Sequence, residues 1–306
     1  MKTAVITGAT GFLGGTLIKT LLNQGVKVYG IDYAPEKLKR FTDDKNFIPV
    51  VAGFEDFLDL PKMIHDPDID VFYHFAWAGG FTTAIRDYKL QMSNAGFAGD
   101  ALVAAHGLGA KKFVYANTYN QYEIINFLES DGFEPRYTCI YSIGKTAAGL
   151  ISRTLAHNLK IEYSAGLIPM PYGENNYSKQ LVNVVIHNLN NGQAPKLIEG
   201  NNLYDLVYVQ DIIDALIAIG EKGKDKKDYY IGHRKLKTFK EWMIDIRDEI
   251  APDVELKFGE YQDKQQIDYS KVDLDALYRD TGWECHYELK DRIKDTARWV
   301  KDNLEW

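Results

Sequence analysis

Cysteine is nearly absent: Cys139 and Cys285 are the only two among 306 residues. That excludes a disulfide framework and a cysteine-built metal site, and it suits a reducing compartment. Histidine is sparse too. Its 7 copies are scattered without ligand spacing, so His74, His106 and His157 read as structural and no metal is expected. Positive charge runs short, with 36 Lys and Arg against 43 Asp and Glu and a net charge of −7. No broad basic surface offers itself to nucleic acid or to an anionic membrane. No apolar run approaches the ~20 residues of a membrane-spanning helix. The chain enters an apolar strand at once, with no leader-like segment, so a soluble cytoplasmic protein is expected. There is no internal repeat and no low-complexity stretch. Hydrophobic residues make up 45% of the chain, enough for a sizeable core.

What is present starts at residue 3. Thr3-Ala4-Val5-Ile6-Thr7 runs straight into Gly8-Ala9-Thr10-Gly11-Phe12-Leu13-Gly14. This reads as a buried strand, a tight glycine turn and the start of a helix. Gly8 takes the sharp turn, Gly11 lets the backbone approach a pyrophosphate, and Gly14 lets the helix pack on the strand. The phosphates would sit at the N-terminus of a helix from about Phe12 to Gln24. Unpaired N–H groups and the helix dipole favour negative charge there. A second strand, Val26 to Ile31, ends at Asp32. A carboxylate in that place accepts both adenosine ribose hydroxyls and repels a 2′-phosphate, which points to NAD over NADP. Lys37 and Arg40 just beyond leave NADP open.

Strand-like segments fall at 3–7, 26–31, 47–51, 70–75, 111–116 and 161–167, and helix-like segments at 12–24, 35–41, 56–64, 82–107 and 141–159. Alternation at this spacing predicts an α/β fold, a doubly wound Rossmann-like parallel sheet with helices on both faces. Ligands would bind along the C-terminal edge of its strands. After Gly166 the pattern changes to a loop-rich stretch at 169–176, a helix near 178–191 and a short strand at 206–209. A helix at 211–220, a charged turn at 222–228 and an amphipathic helix near 288–303 follow. The expected division is an NAD(P)-binding domain over 1–166, to which 205–232 returns, and a smaller mixed α/β substrate-binding lobe from 167–204 and 233–306.

Tyr141 and Lys145 form a Tyr-x-x-x-Lys and share one face of their helix. A phenol titrating near ~10 is a poor acid–base group at neutral pH. A neighbouring ammonium, helped by the positive nicotinamide of an oxidised cofactor, stabilises phenolate and lowers that value. The tyrosine can then exchange a proton with a carbonyl or alcohol while hydride moves. Tyr33 and Lys37 have the same spacing, but in the loop after the second strand, so position singles out Tyr141. Thr118 closes the fifth strand, where a hydroxyl can hold the substrate oxygen or simply cap a turn.

Taken together, Thr7 to Gly14, His74-Phe75-Ala76-Trp77, Thr118 and Tyr141/Lys145 resemble the extended short-chain dehydrogenase/reductase family. More narrowly they resemble its NAD-dependent epimerase/dehydratase branch, which acts on nucleotide sugars. Asn94, the segment Asp205 to Asp211, Trp283 and Leu289 to Asn303 extend the likeness along the chain. The resemblance implies cofactor contacts from Gly8, Thr10, Gly11, Phe12, Leu13, Gly14, Asp32, Tyr33, Phe75, Ala76, Trp77, Asn94, Tyr141, Lys145 and Ile168. It implies catalysis by Tyr141, Lys145 and Thr118, with Asn94 supporting a water near the lysine. It also implies a homodimer through 82–107 and the helix at Tyr141.

The departures from the family are informative. Its phosphate-binding Arg is Tyr204 here, its Asn in the substrate lobe is Met170, and no Arg-Pro-Gly-Asp stands near Phe258 to Tyr261. Lys179, Arg136 or Arg234 would have to substitute. Thr118 is followed by Tyr119-Asn120, where 4,6-dehydratases carry Asp-Glu, so dehydration is not expected. Trp77 replaces a small residue, and it either packs the cofactor, narrows the substrate pocket or fills the core. The leading expectation is an NAD(P)-dependent 4-ketoreductase of a nucleotide-activated sugar. The alternatives are a nucleotide-sugar 4-epimerase, a reductase of a non-nucleotide carbonyl, and a non-catalytic NAD(P)-binding regulator.

Overall fold

The computed structural model describes residues 1–66, 68–80, 83–262 and 267–306. Six strands alternate with helices in its first half. They are β1 (Thr3–Thr7), β2 (Lys27–Asp32), β3 (Phe47–Val51), β4 (Val71–His74), β5 (Lys112–Thr118) and β6 (Glu162–Ile168). With Lys227–Tyr230 they make one sheet, ordered β3-β2-β1-β4-β5-β6 and then the late strand. Every neighbouring pair runs parallel. The chain winds outward one way from β1 to β3 and the other way from β4, so a crevice opens between the C-terminal ends of β1 and β4.

The helices are α1 (Phe12–Asn23), α2 (Pro35–Leu38), α3 (Leu60–Met63), α4 (Tyr88–Gly107), α5 (Gln121–Glu129) and α6 (Cys139–Leu159). Successive residues of β1 point to opposite faces. Ala4 and Ile6 join a core with Leu17, Ile18 and Leu21 of α1 and with Ile212, Leu216 and Ile219 of the helix Val209–Lys222. Val5 joins the opposite core with Ala95, Ala98, Leu102 and Ala105 of α4 and Ala148 and Ala156 of α6. The alanines let α4 and α6 lie close. A side chain on Gly144 would stand 2.9 Å from the Gln91 carbonyl oxygen. This approach sets the first turns of α6 beside the ends of β4 and β5. A third cluster forms apart from the sheet. It joins the helices Leu181–Asn190, Phe239–Ile250 and Leu289–Asn303 around Trp242, Met243 and Ile293. No helix among the described residues is long and apolar enough to cross a membrane.

Three expectations need correction. The helix expected over 82–107 starts at Tyr88, because Asp87 caps it by accepting from the backbone of Lys89 and Leu90. Its expected first residue, Thr82, lies outside the described residues. The stretch 222–228 is not wholly a turn, since Lys227 opens the last strand of the sheet. Helix α5, between Thr118 and Tyr141, was not expected at all.

Candidate active site

A cleft of about 940 Å³ lies over the C-terminal edge of the sheet. Its first half is built by backbone. Gly8 adopts φ +69, and a side chain there would meet the Ala76 nitrogen at 2.9 Å. A side chain on Gly14 would stand 2.3 Å from the Gly8 carbonyl oxygen. No side chain caps α1, whose N-cap is Gly11, so its first N–H groups face the cleft unengaged by a capping residue. Asp32 is buried at the end of β2. One of its oxygens accepts from the Thr10 backbone at 3.1 Å and the Thr10 hydroxyl at 2.8 Å, and the other accepts from the Ala34 N–H. Thr10 is thereby fixed, and the carboxylate keeps lone pairs for ribose hydroxyls. A cradle that any Cβ would fill, an uncapped helix start and a terminal acid together fit a dinucleotide such as NAD. Tyr33 stands at the rim, largely exposed.

The middle of the cleft holds the titratable pair. Thr118 ends β5 beside Ile168 of β6, and its oxygen accepts a long hydrogen bond, 3.3 Å, from the Asn120 N–H. Lys145 reaches back to β5 and donates to the Ala116 carbonyl at 2.9 Å. Burial drives its ammonium down to about 7 and pushes the Tyr141 phenol well above its usual range. Both shifts arise from lost water, and each opposes the charged form. Phe75, Ala76 and Trp77 follow β4 into the same cleft. Beneath them His74 is buried, bonded through Nδ1 to the Thr7 hydroxyl at 2.8 Å. Burial, with the Lys145 charge, holds it neutral with a pKa near about 3.

All the residues expected to act in catalysis or cofactor binding but one line this cleft. The exception is Asn94, which is buried in α4. Its amide accepts from the Ala78 N–H and donates to the Ala78 carbonyl, both at 3.0 Å. Through these two bonds it pins the loop after β4. The substitute cations also sort themselves. Arg234 pairs with Asp275, and Lys179 lies over the Trp306 ring; neither lines the cleft. Arg136 does line it, but holds Glu123 by a two-pronged bond at 2.9 and 2.8 Å. Glu123 is fully buried, so much of that guanidinium's charge is already matched.

Four residues that line the cleft or brace its wall carried no sequence signal. Glu123 anchors Arg136, and Gln91 accepts from the Trp77 indole N–H at 2.9 Å. Thr138 and Gln180 line the cleft, and the Thr138 hydroxyl and the Gln180 side-chain amide oxygen are buried with no hydrogen-bond partner among the described residues. Such atoms call for donors or acceptors from a ligand. No motif joins these positions, since they come from four different segments.

A family model described as "NAD dependent epimerase/dehydratase family" matches residues 4–232. A human dTDP-D-glucose 4,6-dehydratase is 21% identical over 99% of this chain and 91% of its own length. Among solved structures, the UDP-glucose 4-epimerase of Thermotoga maritima, with UDP-glucose, superposes with a TM-score of 0.79. It is 19% identical and covers 98% of this chain and 99% of its own. A Bacillus cereus UDP-glucuronic acid 4-epimerase, in complex with UDP-glucuronic acid and NAD, superposes with a TM-score of 0.78 at 18% identity, over 98% and 99% of the two chains. At such identities the structural likeness speaks for the fold.

Proposed function

The chain belongs to the NAD-dependent epimerase/dehydratase family of enzymes, and on that premise we propose that it moves hydride between NAD and a keto- or hydroxyl-bearing carbon held against Tyr141. Bound NAD supplies the nicotinamide carbon that gives or takes the hydride. The glycine turn and the start of α1 would hold its pyrophosphate, and Asp32 its adenosine ribose. Tyr141 gives a proton to the carbonyl oxygen during reduction and takes it back during oxidation. Lys145 favours phenolate by its charge and would hold the nicotinamide ribose. Thr118 donates to the same substrate oxygen and fixes its angle. Asn94 acts indirectly, by holding the loop at Ala78. One observation supports this reading above all: Tyr141 and Lys145 line the very cleft that begins at Gly8, Gly11 and Gly14.

The finer reading is reduction of a C4 ketone on a nucleotide-activated sugar. The printed substrates of the relatives support the substrate class. The outer half of the cleft supports reduction over 4-epimerisation, because it offers little to hold a ketone intermediate through a rotation. The residues after Thr118 speak against dehydration: Tyr119 and Asn120 carry no carboxyl, and Glu123 is bound to Arg136. Cofactor retention is the test. A reductase turns over added NADH and purifies without bound nucleotide; stoichiometric tightly held NAD with no net NADH consumption means an epimerase.

The Arg136–Glu123 pair favours a second reading, a carbonyl substrate without a diphosphate. Calorimetry with UDP, dTDP, CDP and GDP separates the two, since absent affinity for all four supports the second. The intact Tyr141/Lys145 pair speaks against a purely regulatory role. We read 167–204 and 233–306 as the substrate-binding lobe, the chain as working in the cytoplasm, and its assembly as a homodimer. Exposed Met92 and Leu150 on the outer sides of α4 and α6 support the last.

A further inference from the structure

Lys145 is an ammonium buried to 6% exposure with one hydrogen-bond acceptor, the Ala116 carbonyl, given for its three donors. A charge so placed needs other stabilisation. Two aromatic faces provide it: the ammonium lies 4.1 Å from the centroid of Trp77 and 4.9 Å from that of Tyr115. Indole is the strongest of the aromatic faces for a cation. The Trp77 ring also meets the Tyr141 ring edge to face, at 6.1 Å and 82°. It therefore touches both members of the pair. The ring itself is anchored. Its N–H donates to Gln91, and the Gln91 amide donates to the Ala84 carbonyl at 3.0 Å. The groups that face the lysine are His74 from β4, Tyr115 from β5 and Tyr141 from its own helix. His74 is neutral, and among the described residues no carboxylate pairs with Lys145.

We propose that Trp77 is a positioning residue, whose indole face holds the Lys145 ammonium in its charged form beside Tyr141, with Gln91 as its tether. This rests on the reading of Tyr141 and Lys145 as the proton-transfer pair. Trp77 then does for the lysine what a carboxylate does elsewhere, without a negative charge that would oppose phenolate. Loss of the indole lowers the lysine midpoint, and a neutral lysine no longer supports phenolate.

The test is an NMR pH titration of the Lys145 ε-methylene in the full chain, with its signal assigned by its loss in Lys145→Met. In Trp77→Leu the midpoint falls by about 1 pH unit, the amount a buried cation–π contact contributes. Trp77→Phe keeps most of the midpoint, and Gln91→Leu, which frees the indole, lowers it by less than Trp77→Leu. An unchanged midpoint in folded Trp77→Leu overturns the proposal. Where Trp77→Leu fails to fold, an unchanged midpoint in Gln91→Leu does the same. The titration needs no turnover. A failure of the proton-transfer reading would show separately, as full activity in Tyr141→Phe.

Discussion

The two halves of the cleft are built by different means. The cofactor half is made of backbone: a glycine turn, an uncapped helix start and one acid at a strand end. The outer half is made of side chains drawn from several segments, among them Arg136, Thr138 and Gln180. Backbone cradles constrain residue type directly, because only glycine fits where a Cβ would strike another strand. Side-chain walls impose no such rule. The first half therefore resists change and serves one ligand, while the second can be rebuilt without disturbing it.

The sharpest way to break this comparison is Gly14→Ala. The added carbon would stand 2.3 Å from the Gly8 oxygen, which is backbone and cannot give way cheaply. Overpacking of about 3 kcal/mol means about a 100-fold loss of NAD affinity by calorimetry. A loss below tenfold would show that the cradle is not rigid.

Next comes the outer half. Arg136→Met leaves the buried Glu123 carboxylate unpaired and lowers stability by about 3 kcal/mol in urea unfolding. The double change Glu123→Leu with Arg136→Met regains most of it. Should Arg136→Met instead weaken only substrate binding, the guanidinium is a ligand rather than a brace.

Asp32→Ser tests the ribose contact. It lowers NAD affinity by about tenfold, roughly 1.4 kcal/mol, and narrows the gap to NADP.

The remaining test is a pH slope. The Lys145 midpoint is about 7 when folded and near its ordinary value of 10.5 when unfolded. Between those values the unfolded chain binds more protons, so this group makes stability rise with pH. Its cost is full below pH ~7 and gone above ~10.5. Lys145→Met flattens the measured slope over that window, and an unaltered slope would contradict the depressed value.

Legibility in the sequence followed the same division. β1 and β3 fall on the expected 3–7 and 47–51, and α1 ends one residue short of the expected 24. Their residues are apolar where the core demands it. Helix α5 is not legible because its pattern misleads. Glu123 and Ile124 are buried while Phe127 and Leu128 are exposed, so no apolar stripe marks its inner face. The last strand, Lys227–Tyr230, hid in a run of charge. Asp280 gathers Lys224, Lys227 and the Tyr229 hydroxyl, which lets charged residues edge the sheet. The Tyr141/Lys145 spacing was readable because it lies within one helix. The Arg136–Glu123 and Trp77–Gln91 pairs bridge separate elements, and nothing local announces them. Asn94 was identifiable as a residue of note, but its two bonds to Ala78 belong to the tertiary structure.

The most direct measurement is NADH oxidation by the purified chain with 4-keto sugars, nucleotide-linked and free, comparing the natural enzyme with Tyr141→Phe. General acid catalysis of this kind contributes on the order of 10²- to 10⁴-fold. The account predicts a loss of that size in turnover, with NADH affinity kept within about threefold because the cradle at Gly8 to Gly14 is untouched. Turnover by Tyr141→Phe equal to that of the natural enzyme would contradict it.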